Sequence, residues 1–368
     1  MTHVPQLDAG LTVDDLDPLS VRELRRRDHA TARELRRALG EPGDLRERLA
    51  LAGEKCLLVA SSGGHVAQLD WLAGPAGVHE DSLWMSFRTP QTEALLAGRR
   101  VQWMDYVPPR GFRELVPAAR AVLGVLARER FATAVSTGAG IALPTLGGQA
   151  ASGGRAVYVE SISRVDGPSQ TGRVLARVPG VERYTQHQGW ADGRWTWAGS
   201  VLDGVELSAG TVRSRVDTVF VTLGTIRPFR FDRLVDHLLR ALPPGVDVTW
   251  QTGCTTRRDL PGTVHAELPA PRVAELIAGS DLVVSHAGVA TALQLASSGA
   301  NALLVPRRAA HGEHVDDHQT QIARLFAGAG LARVVEADRI TVDHLVPSIP
   351  GPRIDLTRPT PTLAAPRR

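Results

Sequence analysis

The chain has 368 residues, 43% of them hydrophobic, with 42 basic and 39 acidic side chains for a formal net charge of +3. That length allows two domains with separate cores, and the near balance of charge excludes the dense basic footprint of a nucleic-acid binder. Lys55 is the single lysine, an arginine bias that reads as coding preference. Cys56 and Cys254 each read as a small buried hydrophobe rather than half of a disulfide, which fits the cytoplasm. No apolar run reaches the roughly 18 residues of a membrane span, and the N-terminus lacks the apolar core of a signal peptide.

Residues 1–50 read as a charged helical extension. Ser20 with Glu23, and Thr31 with Glu34, have the capping-box spacing. Leu24, Leu35 and Leu39 make only a narrow apolar stripe among arginines, so the extension is either a solvated helix pair docked on the body or an arginine face for anionic lipid. Short apolar runs then alternate with helical segments, the pattern of parallel α/β units. Strands are expected at Leu57–Ala60, Leu83–Phe87, Val101–Tyr106, Thr133–Ser136, Ala156–Glu160 and Val181–Tyr184. The stretch Phe112–Arg130 reads as a helix whose apolar and arginine residues suit either a cover for the sheet or an interfacial membrane helix. A Gly/Asp/Ser-rich passage, Ala198–Arg215, interrupts the pattern. A second series follows at Thr218–Leu223, Asp247–Gln251, Val264–Glu267, Leu282–Ser285, Ala302–Val305 and Ala332–Val335, and a proline-rich tail closes the chain. The division expected is an extension over 1–50, a first domain over 51–205, a linker over 206–216, a second domain over 217–340 and a tail over 341–368. The fold class is α/β, two Rossmann-like doubly wound parallel sheets facing a cleft.

Two strand-to-helix junctions stand out. In Val283–Thr291 an apolar strand runs through Ser285, His286, Ala287 and Gly288 into a helix whose first amides, from Val289, Ala290 and Thr291, are free to cradle a diphosphate. In Leu58–Val66 a strand runs through Ser61, Ser62, Gly63 and Gly64 to His65. A cleft between two such domains suits an anionic donor on one side and its acceptor on the other.

The residues also carry a family resemblance. Ser61-Ser62-Gly63-Gly64-His65, the run from Ser136 through Gly138 and Gly140 to Pro144, and Tyr158 to Arg164 resemble the acceptor-side subunit of the eukaryotic UDP-N-acetylglucosamine transferase of dolichol-linked oligosaccharide synthesis. Phe220 to Gly224 and Thr225, Trp250-Gln251-Thr252-Gly253, Ser285 to Gly288, and Asp317-His318-Gln319 are similar to the donor-domain motifs of its catalytic partner and of the bacterial family-28 transferase that completes lipid II. The resemblance covers about residues 55 to 336, and its specificity lies in the order and spacing of the motifs. It implies a GT-B fold, inverting chemistry, a UDP-sugar donor carrying GlcNAc, glucuronate or another hexose, and a polyprenyl-diphosphate-linked or other glycan acceptor in cell-surface or exopolysaccharide synthesis. The eukaryotic acceptor-side subunit carries an N-terminal membrane helix that is not seen here, so membrane attachment is expected to be peripheral, on the inner face of the plasma membrane. No nucleic acid and no cofactor is expected. The lipid II branch has a glutamate for the ribose hydroxyls six residues after the cradle glycine, where this chain has Gln294.

Glycosyl transfer needs a base, a positively biased environment for the departing diphosphate, and positioning of both reactants. His65 is the first candidate base, against a reading in which it only shapes its turn. Glu160 is the second, against a structural pair with Arg164. Gly224 and Thr225 allow close approach to phosphate, and His286 either donates to phosphate or fills the turn. Arg307, beside Arg308, either adds charge at the cleft and selects a carboxylated sugar or faces solvent. His314 and His318, four residues apart with Glu313 and Asp317 beside them, invite a metal. They lie in a loop, however, without the glutamate between histidines of zinc hydrolases, and Asp15-Leu16-Asp17 is misplaced for a metal-diphosphate motif. Metal-independent transfer is the expectation. A UDP-sugar 2-epimerase and a non-catalytic lipid-recruiting scaffold are the competing classes.

Overall fold

The computed structural model describes residues 45–108, 111–202, 216–328 and 331–345. The two capping boxes, Asp15-Leu16-Asp17, the linker before Val216 and the prolines beyond 345 lie outside the described residues. The end of the charged extension is described: α1 (Leu45–Leu49) packs Leu45 and Leu49 into the core, and Arg155 donates to the Leu49 carbonyl at 2.6 Å.

The first sheet is built from β1 (Cys56–Ala60), β2 (Leu83–Phe87), β3 (Val101–Met104), β4 (Thr133–Gly138), β5 (Arg155–Val159), β6 (Val181–Thr185) and β7 (Thr196–Trp197), in the order β3-β2-β1-β4-β5-β6-β7. The second holds β8 (Thr218–Thr222), β9 (Asp247–Gln251), β10 (Thr263–His265), β11 (Leu282–His286), β12 (Ala302–Val305) and β13 (Arg333–Val334), in the order β10-β9-β8-β11-β12-β13. Every pairing within the two sheets is parallel. Helices cover both faces, which is why Cys56–Ala60 and Leu282–His286 are buried along their whole length instead of alternating.

All twelve expected strands form, with ends shifted by a residue or two. The short β7 is an addition: Thr196 and Trp197 pair with Tyr184 and Thr185 just before the passage read as a break. Two residues carry too little periodicity to announce a strand.

Strand order reverses between β1 and β4 in one sheet and between β8 and β11 in the other. At such switch points neighbouring connections leave toward opposite faces and open a crevice at the carboxyl edge. Both singled-out junctions sit there. The halves also share packing: α2 (Gly64–Ala73) and α9 (Val289–Ser298) meet so closely that a Cβ on Gly64 would lie 2.9 Å from the Val289 Cβ. One apolar cluster includes Val66 and Leu69 from the first half and Phe220, Val283 and Val289 from the second.

Between these lie α3 (Pro90–Leu95), α4 (Phe112–Arg128), α5 (Ala142–Ala151), α6 (Gln170–Leu175), α7 (Asp232–Ala241) and α8 (Ala270–Gly279), with α10 (His318–Gly328) following β12. Helix α4 covers the sheet, as one of its two readings had it. Ala118, Val122 and Val125 pack onto the first sheet, while Val116 and Leu123 are 45% and 47% exposed. Among the described residues no helix is long and apolar enough to cross a membrane.

Candidate active site

His65 enters the site as the second residue of α2, after Gly63, whose φ of 72° suits glycine. Its Nδ1 lies 2.8 Å from the Thr137 carbonyl, and Thr137 Oγ1 donates back to the His65 carbonyl at 2.6 Å. A carbonyl only accepts, so Nδ1 carries the proton and Nε2 keeps a lone pair. Burial pushes the imidazole down to about 4, against the pull of the Thr137 carbonyl, so the ring is neutral at pH 7. Gly138, at φ 131°, leaves room for that ring: a Cβ there would stand 2.6 Å from His65 Cε1. Gly140 lies one turn further on, against Leu115.

Glu160 has no such freedom. Its carboxylate, 1% exposed, accepts from the Tyr158 hydroxyl (3.1 Å), the Ser161 amide (3.1 Å), the Ser169 amide (2.8 Å) and the Ser169 hydroxyl (2.9 Å). Burial raises its pKa while these donors hold it down. The group is a fully engaged buried anchor for the start of α6, so the base reading fails on access, and the pairing expected with Arg164 is replaced by neutral donors.

Across the cleft, α9 begins at Gly288 with no side-chain cap and no acidic residue in its first turn. The amides of Val289, Ala290 and Thr291 belong to the orphan donors of that first turn and lie at the positive end of the helix. The His286 ring sits between Gly224 and Gly288; a Cβ on Gly224 would stand 2.6 Å from its Nε2, and one on Gly288 would collide with the same atom. That explains glycine at both places. Burial, and then the charge of Arg307, push His286 down to about 3, so it too is neutral. Thr225 and Thr291 are partly exposed at the cradle, Gln294 lies one turn along α9, and Ala287 is buried beneath it.

Several expected ligands are committed to the protein instead. Gln251 donates to Thr222 Oγ1 at 2.9 Å and accepts from the Leu268 amide, and the Ser285 hydroxyl donates to the His286 carbonyl. Arg307 is 0% exposed, and its guanidinium donates to the carbonyls of Leu223, Phe229, Arg230 and Glu313. It does not face solvent; it ties the loop after β8 to the loop after β12. Arg308 pairs with Glu336, so the arginine pair offers no fork for a sugar carboxylate. Gln319 accepts from the Arg307 amide at 3.0 Å, and the exposed Asp317 accepts from the Ala309 amide at 2.9 Å.

His314 stacks on Phe229 with ring centroids 5.7 Å apart and meets His318 edge-on at 4.6 Å. His318 Nδ1 bonds Asp316 Oδ1, and Asp316 Oδ2 accepts from Arg164 of the first half at 2.9 Å. Burial alone would raise the Asp316 carboxyl, but His318 and Arg164 together hold it well below the usual carboxylate range. Sequence reasoning passed over Asp316; its signal was the x-Asp-x-His spacing, read only for its histidines. The ligand atoms of His314, Asp316 and His318 lie within 4.8 Å of one another. Asp316 already serves a histidine and a guanidinium, and burial first, then His318 and the charges of Arg307 and Arg164, depress His314. That surrounding favours an anion over a dication.

Residues 218–350 match the glycosyltransferase family 28 C-terminal domain. That stretch is a family-28 glycosyltransferase domain, and the chain is a glycosyltransferase. Similar proteins include a UDP-N-acetylglucosamine–N-acetylmuramyl-(pentapeptide) pyrophosphoryl-undecaprenol N-acetylglucosamine transferase of Synechococcus sp., 28% identical over 344 residues, spanning 84% of this chain and 88% of that one. A protein of the same description from Hahella chejuensis is 35% identical over 100 residues, 26% of this chain and 27% of that one. Among solved structures, the glycosyltransferase of kitacinnamycin superposes with a TM-score of 0.50 at 15% identity, covering 83% of this chain and 89% of that one. The glycosyltransferase thus has the GT-B arrangement, with its family-matched half built on β8–β13.

Proposed function

We propose that this glycosyltransferase moves a hexose, with inversion, from a UDP-sugar to a polyprenyl-diphosphate-linked or other glycan acceptor at a membrane surface. The observation that carries the reading is the pairing of a neutral His65 at one switch point with the uncapped start of α9 at the other. Inversion needs one displacement: the acceptor oxygen attacks the anomeric carbon as the UDP oxygen leaves from the opposite face. His65 Nε2 takes the acceptor proton, and Thr137 fixes the tautomer that allows it. A bound diphosphate would raise the proton affinity of that imidazole, bringing it nearer the working pH. The amides of Val289, Ala290 and Thr291 receive the negative charge that develops on the departing diphosphate. Gln294 supplies an amide for the ribose hydroxyls, and His318 faces the transferred sugar.

The relative from Synechococcus is named for UDP-N-acetylglucosamine and a pyrophosphoryl-undecaprenol acceptor, which makes a GlcNAc donor and a lipid-linked acceptor the first pair to try. Attachment to the membrane is peripheral, through the exposed Val116 and Leu123 of α4 with Arg113, Arg120 and Arg128 beside them. Release of UDP from UDP-GlcNAc only when a polyprenyl-diphosphate sugar is added supports the transfer. Conversion of UDP-GlcNAc alone to another UDP-sugar would replace it with the epimerase reading.

A further inference from the structure

Arg164 belongs to the acceptor side, yet its guanidinium reaches a donor-side carboxylate. Its own position is fixed from below. Gln68, one turn after His65 on α2, donates to the Gly64 carbonyl and to Ser161 Oγ, both at 3.0 Å, and accepts from the Ile162 amide at 2.9 Å. Trp190 Nε1 donates to the Arg164 carbonyl at 2.9 Å. The segment bearing Arg164 is therefore held by the same helix that holds His65. From Arg164 the chain of contacts runs to Asp316 and on to His318 Nδ1, which turns His318 Nε2 away from the carboxylate; that atom makes no hydrogen bond among the described residues.

We propose that Arg164 is a positioning residue acting across the cleft: through Asp316 it sets the orientation of His318 relative to the acceptor-side base. This rests on the donor site described above. A second cross-cleft pair, Arg324 with Asp166 at 2.8 Å, lies at the rim with both side chains more than half exposed and touches neither Asp316 nor His318. It separates positioning from mere joining of the two halves.

Charge and position predict opposite results for Asp316. Removing a negative charge near a diphosphate site should by electrostatics alone tighten binding of an anionic nucleotide. If Asp316 orients His318, the same change weakens it. The experiment is calorimetric titration of the full-length protein and its variants with UDP-GlcNAc, with thermal melting to confirm folding. Asp316→Asn and Arg164→Gln should each raise Kd about tenfold, the double variant should be no worse than either single one, and Arg164→Lys should recover part of the loss. Arg324→Ala should bind as the wild type does. Unchanged or tighter binding by Asp316→Asn, additive losses in the double variant, or an equal loss in Arg324→Ala would overturn the proposal. A wild-type protein that does not bind UDP-GlcNAc would overturn the functional reading, and this inference with it.

Discussion

His65 and Glu160 entered as rival bases, and access separates them. A histidine whose Nδ1 is spent on the Thr137 carbonyl retains one lone pair for a proton; a carboxylate that already accepts four hydrogen bonds retains none that an acceptor hydroxyl reaches. His65→Ala should therefore lower turnover by about a hundredfold or more while leaving UDP affinity nearly unchanged, as steady-state kinetics beside calorimetry would show. Glu160→Gln should behave in the opposite sense. Its amide would confront donors of Ser169 and Ser161, costing about 1–3 kcal/mol of stability in a denaturant titration with turnover per folded molecule largely kept. Arg307 teaches the same lesson. An arginine beside a cleft motif reads as a ligand in sequence, but only the folded chain shows that its two terminal nitrogens donate to four backbone carbonyls.

The strands and their junctions were legible because burial on both faces leaves continuous apolar runs, and glycine punctuates the turns. Leu282–His286 and Cys56–Ala60 are such runs, and the cradles following them fall at the two switch points. The roles of Gly138, Gly224 and Gly288 needed coordinates, because each glycine makes room for a histidine ring supplied by a different segment or turned back on its own. Gly138→Ala should strain the backbone at φ 131° and push on the His65 ring, lowering turnover more than it lowers UDP binding. The Arg164–Asp316 bridge was illegible for a related reason: its members are 152 residues apart. No local pattern announces a pair that forms only when two domains face each other.

For the molecule as a whole, the cleft holds neutral histidines beside fixed positive charge. His65, His286 and His314 all have folded values below the ordinary one, so the folded state binds fewer protons than the unfolded chain as pH falls. Their contribution to stability is present above about 6.5, the unfolded value, and is lost progressively as pH falls toward about 4 for His65 and about 3 for His286 and His314. Thermal midpoints should decline over that window, and His65→Ala should soften the decline. Transfer should persist in EDTA; its loss on chelation, with rescue by one divalent metal, would move the chemistry to the His314, Asp316 and His318 cluster. The metal independence of transfer depends on where the diphosphate sits. The most direct test of that placement is calorimetric titration of the full-length protein with UDP, wild type against Gly288→Asp. The account predicts binding by the wild type and none measurable by the variant, whose added carboxylate would lie at the start of α9 and against the His286 ring. Equal UDP affinity in the two proteins would contradict it.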